Sequence, residues 1–264
     1  MTRPLRLLAV TAHPDDETLG LGGVLARYSS EGVETHVLAA TRGERGRYGD
    51  GSMHPGEEEL GRIREAELRA AAEVLGVGEV CFLDYLDGEL DRADPVEAAA
   101  RIARHVRRIR PHVVMTFAQD GAYGHPDHIA ICQLTTAALV VATDPADHDS
   151  WSVPKLYYFA WGEGHWDAYQ QAFKRFVSTV DGVQRQAVPW PDWMLTACVD
   201  CREHWRTVWR AVQCHESQIR IYSALGELSE DRQIALWGWQ SFYRVYSLVN
   251  GGRAREADLF EGLR

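Results

Sequence analysis

Short apolar runs alternate with helix-spaced apolar positions along the first 145 residues of the chain. The apolar runs predict β-strands at 5–12, 35–41, 79–83 and 112–117. The spaced positions predict α-helices at 17–30, 60–75, 95–109 and 126–142. Because strand and helix alternate strictly, we expect a mostly parallel sheet in a Rossmann-like three-layer α/β sandwich.

This predicted sheet also indicates where a functional site lies. In open parallel sheets, reactive groups sit on the loops that follow the carboxyl ends of the strands. We therefore expect the loops after Ala12, Thr41, Leu83 and Phe117 to converge on one crevice.

The pattern changes after about residue 150. All nine tryptophans lie in the last 114 residues. A further strand is predicted at 156–160, and a long amphipathic helix at 198–225, with Asp200 and Glu203 as a capping box at its start. Aromatic faces suit a sugar-stacking platform, but we expect most of these tryptophans to lie in the core and one to three to line a pocket.

The two parts are not separated by a linker rich in Ser, Gly or Pro. We therefore expect one domain over 1–264, with a Rossmann-like core at 1–145 and an aromatic-rich C-terminal elaboration at 146–264. The chain is long enough for one large domain of this kind.

Composition and charge exclude several classes of protein. Apolar residues make up 45% and charged residues 25% of the chain, as in ordinary globular proteins. The net charge of −10 argues against a broad nucleic-acid-binding surface. No apolar stretch is long enough to predict a membrane span, and the N-terminal residues do not resemble a signal peptide. Five cysteines do not predict a disulfide framework, so we expect a cytoplasmic protein.

Two loops carry side chains that suit a metal ion. The first reads Ala-His-Pro-Asp-Asp-Glu at 12–17, and the second reads Gly-Ala-Tyr-Gly-His-Pro-Asp-His at 121–128. Neutral imidazole and carboxylate groups are suitable ligands for Zn²⁺, and a catalytic site keeps three protein ligands and one open position. The residues His13, Asp16 and His128 would provide such a set.

Two further groups would remain beside that metal. Asp15 would be a spare carboxylate that can act as a base, and His125 a spare imidazole that can face a developing oxyanion. An alternative interpretation is that Asp15 or Asp16 caps the following helix and that each His-Pro pair is ordinary turn chemistry. Composition and periodicity therefore indicate a metal site and go no further.

The paired loops closely resemble the two signatures of the PIG-L/LmbE-like family of zinc-dependent N-deacetylases. The resemblance covers residues 5 to about 142, and includes Thr-Arg-Gly-Glu-Arg-Gly at 41–46 and the Arg-x-x-Glu pair at 64–67. This family includes the de-N-acetylases of N-acetylglucosaminyl-phosphatidylinositol and of the mycothiol and bacillithiol precursors. It implies a Rossmann-like fold and removal of acetyl groups from N-acetylglucosamine-like sugars.

The resemblance implies a role for each matching residue. The implied zinc ligands are His13, Asp16 and His128. The implied catalytic residues are Asp15 as general base, His125 as acid and oxyanion stabiliser, Asp127 as the carboxylate that tunes His125, and Tyr123 as an aid to the oxyanion. The implied substrate-binding residues are Arg64, Asp87 and Gln218, the last in a His-x-x-Gln segment at 215–218 that resembles one reaching back to the site.

Arg47 follows the second predicted strand together with Arg42 and Arg45. Forked guanidinium donors at this place can hold a phosphate or carboxylate on the substrate, or equally they form a solvated loop.

The sequence thus predicts a one-zinc hydrolase that deacetylates an N-acetylglucosamine-containing small molecule. One alternative is a mycothiol-conjugate-type amidase that cuts a larger amide at the same metal. Another is a non-catalytic sugar- or nucleotide-binding protein, which is disfavoured because all the ligands and both acid/base groups are present. Relatives often form homo-oligomers, but no interface is identifiable in this sequence.

Two other motifs have simpler interpretations. The run Gly-Leu-Gly-Gly at 20–23 lies inside a helix rather than at a strand-to-helix turn, so it predicts close helix packing rather than dinucleotide binding. The pair Cys198 and Cys201, followed by Cys214 and His215, has the spacing of a second metal or redox site. A helical position for Cys214 argues against that role.

Overall fold

The computed structural model describes residues 4–49, 51, 53–173, 177–180, 182–219 and 223–264. Within these residues the strands are β1 (Arg6–Thr11), β2 (Glu34–Ala39), β3 (Glu79–Phe82), β4 (Val113–Phe117), β5 (Lys155–Phe159), β6 (Val177–Val180), β7 (Val183–Gln186), β8 (Ala197–Asp200) and β9 (Trp239–Ser247). The α-helices are α1 (Asp16–Leu19), α2 (Gly22–Ser30), α3 (Glu57–Leu75), α4 (Pro95–Ile109), α5 (Gly121–Gly124), α6 (Pro126–Ala142), α7 (Glu163–Phe173), α8 (Trp205–Gln213), α9 (Glu216–Ile219), α10 (Ser223–Gly226) and α11 (Glu230–Trp237). Short 3₁₀ turns occupy Leu90–Arg92, Asp192–Met194 and Arg202–His204.

Seven of the strands form one sheet in the order β3-β2-β1-β4-β5-β9-β8. The first five strands in the chain are parallel, whereas β9 and β8 add to the sheet in antiparallel pairing. This architecture confirms the predicted mostly parallel α/β sandwich. The strand order reverses between β1 and β4, which is the point where open α/β sheets form a ligand crevice.

The central strands are apolar because helices cover both faces of the sheet. All five residues of β4 are buried, as are the last five residues of β1. Right-handed crossovers place α2 and α3 on one face and α4 and α6, which contact each other, on the opposite face. The C-terminal helix α8 packs against α3 and α2 and so joins the first of these layers.

The predicted helix at 17–30 is wrong in one respect, because it is broken into α1 and α2. A Cβ atom on Gly20 would lie 3.1 Å from the carbonyl oxygen of Asp16 and 3.2 Å from the Phe159 ring. A Cβ atom on Gly23 would lie 2.8 Å from that of Cys201. The glycine run therefore allows close packing of the helices against neighbouring elements, as predicted.

The predicted helix at 198–225 is wrong over its first part. Residues 197–200 form β8, in which Cys198 pairs with Ser241 of β9, and the helical stripe of Trp205, Val208 and Val212 lies in α8. The capping box is also wrong, since the carboxylate of Asp200 accepts from the backbone N–H of Arg202. Part of this predicted helix, residues 220–222, lies outside the described residues.

The cysteines and tryptophans take ordinary positions. All five cysteines are free, and none belongs to a group of three metal-capable side chains within the part that the structure describes. Trp161, Trp166, Trp205 and Trp237 are buried, whereas Trp193 is 81% exposed. In the same described part, every helix is too short or too polar to span a lipid bilayer.

Candidate active site and metal centre

The two histidine-containing loops meet because their strands are neighbours in the sheet. His13 follows β1, and His128 lies in the first turn of α6, which follows β4 and α5. Strands β1 and β4 pair in parallel, with Leu7 opposite Val113, so their carboxyl ends lie at the same edge of the sheet. The crevice predicted from the alternation of strands and helices therefore contains both loops.

Three donor atoms converge in this crevice. Nδ1 of His13 lies 3.2 Å from Nε2 of His128. The carboxylate of Asp16 places Oδ2 3.8 Å from that His13 nitrogen and Oδ1 3.5 Å from that His128 nitrogen. Ligands bonded at 2.0–2.2 Å to a tetrahedral Zn²⁺ lie roughly 3.3–3.6 Å apart, and the three separations of 3.2, 3.5 and 3.8 Å lie near this range. Oδ2 of Asp16 already accepts from the backbone N–H groups of Ala12 and His13, so Oδ1 is the oxygen available to an ion.

The opposite nitrogen of each imidazole is occupied by an acceptor. Nε2 of His13 lies 3.1 Å from Oδ1 of Asp87 and 3.2 Å from Oδ2 of Asp127. Nδ1 of His128 lies 3.2 Å from the carbonyl oxygen of Gly121, and the ring of Phe117 stacks on this imidazole at 3.9 Å. When the rings are neutral, these partners hold the N–H on the opposite nitrogens and leave the two facing nitrogens as lone-pair donors, which is the usual orientation of metal-binding histidines.

In the described residues, two groups of three side chains have ligand atoms that all lie within 4.8 Å of one another, and neither group includes Asp16. One joins His13 and His128 to His125, and the other joins His13 to Asp87 and Asp127. The Asp127 carboxylate already accepts from the backbone N–H groups of Gly88 and Leu90, at 2.8 and 3.1 Å. This saturation suits a carboxylate that orients His13 better than a direct ligand.

The charges of the crevice favour a cation. Burial opposes a charge on His13, but hydrogen bonds and attraction from Asp127 and Asp87 raise its pKa well above the usual value. Burial raises the pKa of Asp16 to about 7. Burial, together with the neighbouring imidazoles, lowers the pKa of His128 well below its usual value. The cluster thus combines several carboxylates with a neutral imidazole, a donor set that a divalent ion fits.

Asp15 lies beside these donors in a strained backbone conformation. Its φ is 107°, a region that residues with a Cβ rarely adopt and that costs of the order of 1–3 kcal/mol. One carboxylate oxygen lies 3.2 Å from the guanidinium of Arg64, and its backbone N–H donates to Oε2 of Glu17 at 2.9 Å. Asp15 occupies the N-cap position of α1, but its side chain makes no capping hydrogen bond there.

His125 lies on the other side of the donor cluster. Its ring centroid is 4.8 Å from that of His13 and 4.7 Å from that of His128. Its Nδ1 accepts from the backbone N–H of Asp127 at 3.2 Å, so the N–H of the neutral ring is on Nε2. Burial and the nearby His13 lower the pKa of His125 to about 4. It is therefore a neutral hydrogen-bond donor near pH 7.

Tyr123 and a small cavity complete this side of the site. The ring of Tyr123 packs edge-on against His128 at 5.2 Å, and burial, together with the neighbouring carboxylates, raises the pKa of its phenol. A cavity of about 50 Å³ opens next to it. The cavity is lined by acidic, histidine and aromatic side chains, which include Asp15, Asp16, Phe117, Tyr123, His128, Phe159, Trp161 and Tyr169.

Three of the residues with an implied role make contacts other than those that the resemblance implies. The carboxylate of Asp127 contacts His13, while its backbone N–H contacts His125. Asp87 also contacts His13 rather than facing open space. Arg64 is 4% exposed and donates to the carbonyl oxygens of Gly43 and Pro14 and to Asp15. A Cβ atom on Gly43, whose φ is 64°, would collide with this guanidinium.

Arg47 and Gln218 contact each other, and the hydrogen bonds described for them do not include His13, Asp16 or His128. The side-chain amide of Gln218 donates to the carbonyl oxygen of Arg47 at 2.7 Å. The Arg47 residue is exposed, and Gln218 is 4% exposed. A substrate-binding role for either residue stays a prediction.

Sequence reasoning missed two buried carboxylates. Glu17 is fully buried, and its Oε1 lies 2.8 Å from Nε2 of His215. Glu67 accepts from the backbone N–H and hydroxyl of Ser217 at 2.6 and 2.7 Å. For Glu67 the sequence did contain a signal, because its spacing of three residues from Arg64 places both side chains on one face of α3.

Comparison with known proteins identifies the family. Residues 8–139 match the family model of PIG-L, described as GlcNAc-PI de-N-acetylase. The chain belongs to this family. Membership confirms the resemblance predicted from the paired loops, and with it the prediction of an amide-hydrolysing deacetylase class. The PIG-L match covers the strands and loops that bring His13 and His128 together.

Relatives of this PIG-L chain are enzymes acting on amides. The chain is 32% identical to a 1D-myo-inositol 2-acetamido-2-deoxy-alpha-D-glucopyranoside deacetylase of Kineococcus radiotolerans, over 100% of this chain and 84% of that protein. It is 30% identical to a mycothiol S-conjugate amidase of Streptomyces coelicolor, over 100% of this chain and 99% of that protein.

A solved structure shares the fold without the same chemistry. The 4-carboxy-2-hydroxymuconate hydratase of Pseudomonas putida superposes with a TM-score of 0.71 at 22% identity, over 95% of this chain and 100% of that chain. This likeness shows the fold alone. The function of this PIG-L chain must therefore be argued from its site.

Proposed function

We propose that this chain is a zinc-dependent N-deacetylase that acts on an N-acetylglucosamine-containing small molecule. The observation that carries the proposal is the convergence of the lone-pair nitrogens of His13 and His128 on the Asp16 carboxylate, with Asp15 beside them. The named deacetylase of Kineococcus radiotolerans supports the substrate class, because it matches the chain over its whole length.

His13, Asp16 and His128 would hold the ion. A bound Zn²⁺ would supply a Lewis acid that polarises the amide carbonyl and lowers the pKa of water to about 7. Asp87, Asp127 and the Gly121 carbonyl would orient the two imidazoles from behind.

Asp15 is the proposed general base. It accepts a proton from the water whose oxygen attacks the carbonyl carbon of the substrate amide. Arg64, which contacts one of its oxygens, fixes the direction of the carboxylate. The strained backbone of Asp15 points the side chain into the cavity that also reaches Asp16 and His128.

His125 is the proposed donor to the oxyanion that forms on the carbonyl oxygen. A neutral imidazole with its N–H on Nε2 can stabilise this negative charge without carrying a charge itself. Tyr123 can add a second donor from its phenol. The C–N bond then breaks, and the departing nitrogen takes the proton that Asp15 accepted from the water, which gives acetate and a free amino sugar.

We propose that residues 1–264 act as one functional unit, with the part after 145 shaping the mouth of the site. The hairpin of β6 and β7 packs against α5, and Arg185 donates to the carbonyl oxygen of Gly124 at 3.2 Å. Trp161 and Tyr169 line the cavity beside the donor cluster. These contacts support a pocket built from both parts of the chain.

A second candidate is an amidase that cuts a larger amide at the same metal. Its support is the mycothiol S-conjugate amidase of Streptomyces coelicolor, which also matches over the whole chain. This candidate uses the same residues but predicts slow release of acetate from simple N-acetyl sugars and fast cleavage of thiol conjugates.

The test measures acetate release from an N-acetylglucosaminyl inositol and from N,N'-diacetylchitobiose by the chelated and the zinc-loaded chain. We expect about one zinc ion per chain, and acetate release only with metal. The Asp15→Asn variant should lose roughly 10²–10⁴-fold in kcat. The matched control is Asp231→Asn, an exposed carboxylate of α11 that should keep full activity. Equal activity of Asp15→Asn and the unmodified chain, or activity without metal, would overturn the proposal.

A further inference from the structure

A second group of buried polar contacts lies directly behind Asp15. Oε2 of Glu17 accepts the backbone N–H of Asp15, and Oε1 of Glu17 lies 2.8 Å from Nε2 of His215. Glu17 and His215 are each 0% exposed. His215 lies just before α9, in the part of the chain that follows the Rossmann-like core, so the contact joins distant parts of the sequence.

The backbone of Asp15 needs such a contact. Its φ of 107° is unfavourable for a residue with a Cβ, so the conformation persists only where the surroundings hold it. In this conformation the N–H of Asp15 donates a hydrogen bond to the carboxylate of Glu17, two residues further along the chain. The backbone and the carboxylate of Asp15 are therefore held separately, the first by Glu17 and the second by Arg64.

Glu17 in turn depends on His215. A fully buried carboxylate is stable only with hydrogen-bond or charge partners, because it has lost its contact with water. The partners of Glu17 are the N–H of Asp15 and the imidazole of His215. Removing His215 would leave Glu17 as a buried, uncompensated charge, which would turn toward water and release the Asp15 N–H.

The segment that carries His215 is itself fixed to the loops around the site. Ser217 donates from its N–H and hydroxyl to Glu67 of α3, the helix that also carries Arg64. The carbonyl oxygen of Ser217 accepts from the N–H of Gly49 at 2.8 Å. The segment 215–218 therefore contacts α1, the loop after β2 and α3.

We propose that Glu17 and His215 form a positioning pair that holds Asp15 in its catalytic conformation without contacting substrate or metal. The proposal rests on the proposed function, in which Asp15 is the general base. It gives the C-terminal part of the chain a second task besides shaping the pocket. Loss of the pair should lower kcat, because the base is misplaced, while zinc and substrate still bind.

The experiment compares Glu17→Ala with Glu17→Gln, which keeps an oxygen that can accept the Asp15 N–H. We expect kcat of Glu17→Ala to fall about 10–100-fold, as for other residues that orient a site from behind. KM should change less than about 3-fold, and bound zinc should stay near one ion per chain. Glu17→Gln should restore kcat to within about 5-fold of the unmodified chain.

A second variant separates positioning from folding. Glu17→Leu with His215→Leu replaces the whole pair by apolar side chains, so no buried charge is left to unfold the chain. A positioning role predicts a folded, zinc-loaded protein with the same loss of kcat, whereas a purely structural role predicts normal kcat. The matched control is Glu216→Gln, which changes an exposed carboxylate next to His215 and should keep kcat within about 2-fold.

The outcomes distinguish this inference from the proposed function. An active Asp15→Asn variant would overturn the proposed function, and the inference with it. An inactive Asp15→Asn variant together with normal kcat in both Glu17→Ala and the double Leu variant would overturn the inference alone. Loss of zinc from either variant would also overturn it, because the pair would then act on the metal ligands.

Discussion

Nε1 of Trp190 donates a hydrogen bond of 2.9 Å to Oδ2 of Asp120. Asp120 precedes α5, and its other carboxylate oxygen accepts from the N–H of Ala122 at 3.1 Å. One carboxylate therefore connects the C-terminal part of the chain to the turn that carries Tyr123 and His125. In the proposed function, this contact determines where the two oxyanion donors lie.

Trp190→Phe should therefore weaken catalysis although the hydrogen bond of the Trp190 indole goes to Asp120 and not to a proposed metal ligand. The variant keeps a large ring but removes the N–H, and a hydrogen bond to a charged group contributes roughly 1.5–3 kcal/mol. We expect kcat/KM to fall about 3–10-fold in steady-state measurements of acetate release. Trp193→Phe is the control, since Trp193 is 81% exposed. If the losses of kcat/KM in Trp190→Phe and Asp120→Ala simply multiply in the double variant, the result would contradict a role of this hydrogen bond.

Asp87→Asn should weaken zinc binding rather than substrate binding. The resemblance implies that Asp87 contacts the sugar, but its Oδ1 lies 3.1 Å from Nε2 of His13. A neutral amide would orient the imidazole less strongly, so zinc affinity should fall about 10–100-fold in a competition titration with a chelator. Asp84→Asn, on an exposed side chain that contacts Arg42, should leave the affinity unchanged. A raised KM with normal zinc affinity would favour the sugar contact.

The location of the site could be predicted from the sequence, because it depends on local rules. The alternation of strand and helix patterns predicts β1 and β4. Because these strands are parallel, the loops that follow them lie at the same edge of the sheet. The partners of His13 could not be predicted in the same way. Asp87 reaches it from a loop after β3, whose path depends on contacts such as the N–H of Arg45 with the Asp87 carboxylate.

The C-terminal part shows where pattern reasoning fails. The segment at 198–225 has a helical stripe, yet its first residues form β8 because Cys198 and Val199 pair with Ser241 and Gln240 of β9. Pairing across some forty residues leaves no local signal in the segment itself. The buried Glu17–His215 contact is hidden for the same reason, since each residue looks polar and therefore exposed in the sequence.

Glu256→Gln should destabilise the fold strongly. Its carboxylate lies 2.7 Å from the buried amine of Lys155 on β5 and 2.8 Å from Arg244, and it also bonds the hydroxyl of Tyr157. A neutral side chain would leave the Lys155 charge uncompensated, which costs about 3–5 kcal/mol. Urea titration should show this loss in the free energy of unfolding. Asp200→Asn breaks an exposed pair with Arg202 and should cost less than about 1 kcal/mol, and similar losses in both variants would contradict the role of burial.

The stability of the chain should fall in mild acid partly because of His165 on α7. Burial lowers the pKa of this imidazole to about 4 in the folded chain, against about 6.5 in the unfolded chain. Between pH 6.5 and 4 the unfolded chain therefore binds a proton that the folded chain does not, so stability falls as the pH falls through this window, by at most about 3 kcal/mol. The free energy of unfolding, measured in urea at pH 7 and pH 4.5, should decrease less in His165→Gln than in the unmodified chain. An equal decrease in both proteins would mean that His165 is protonated in the fold at the lower pH.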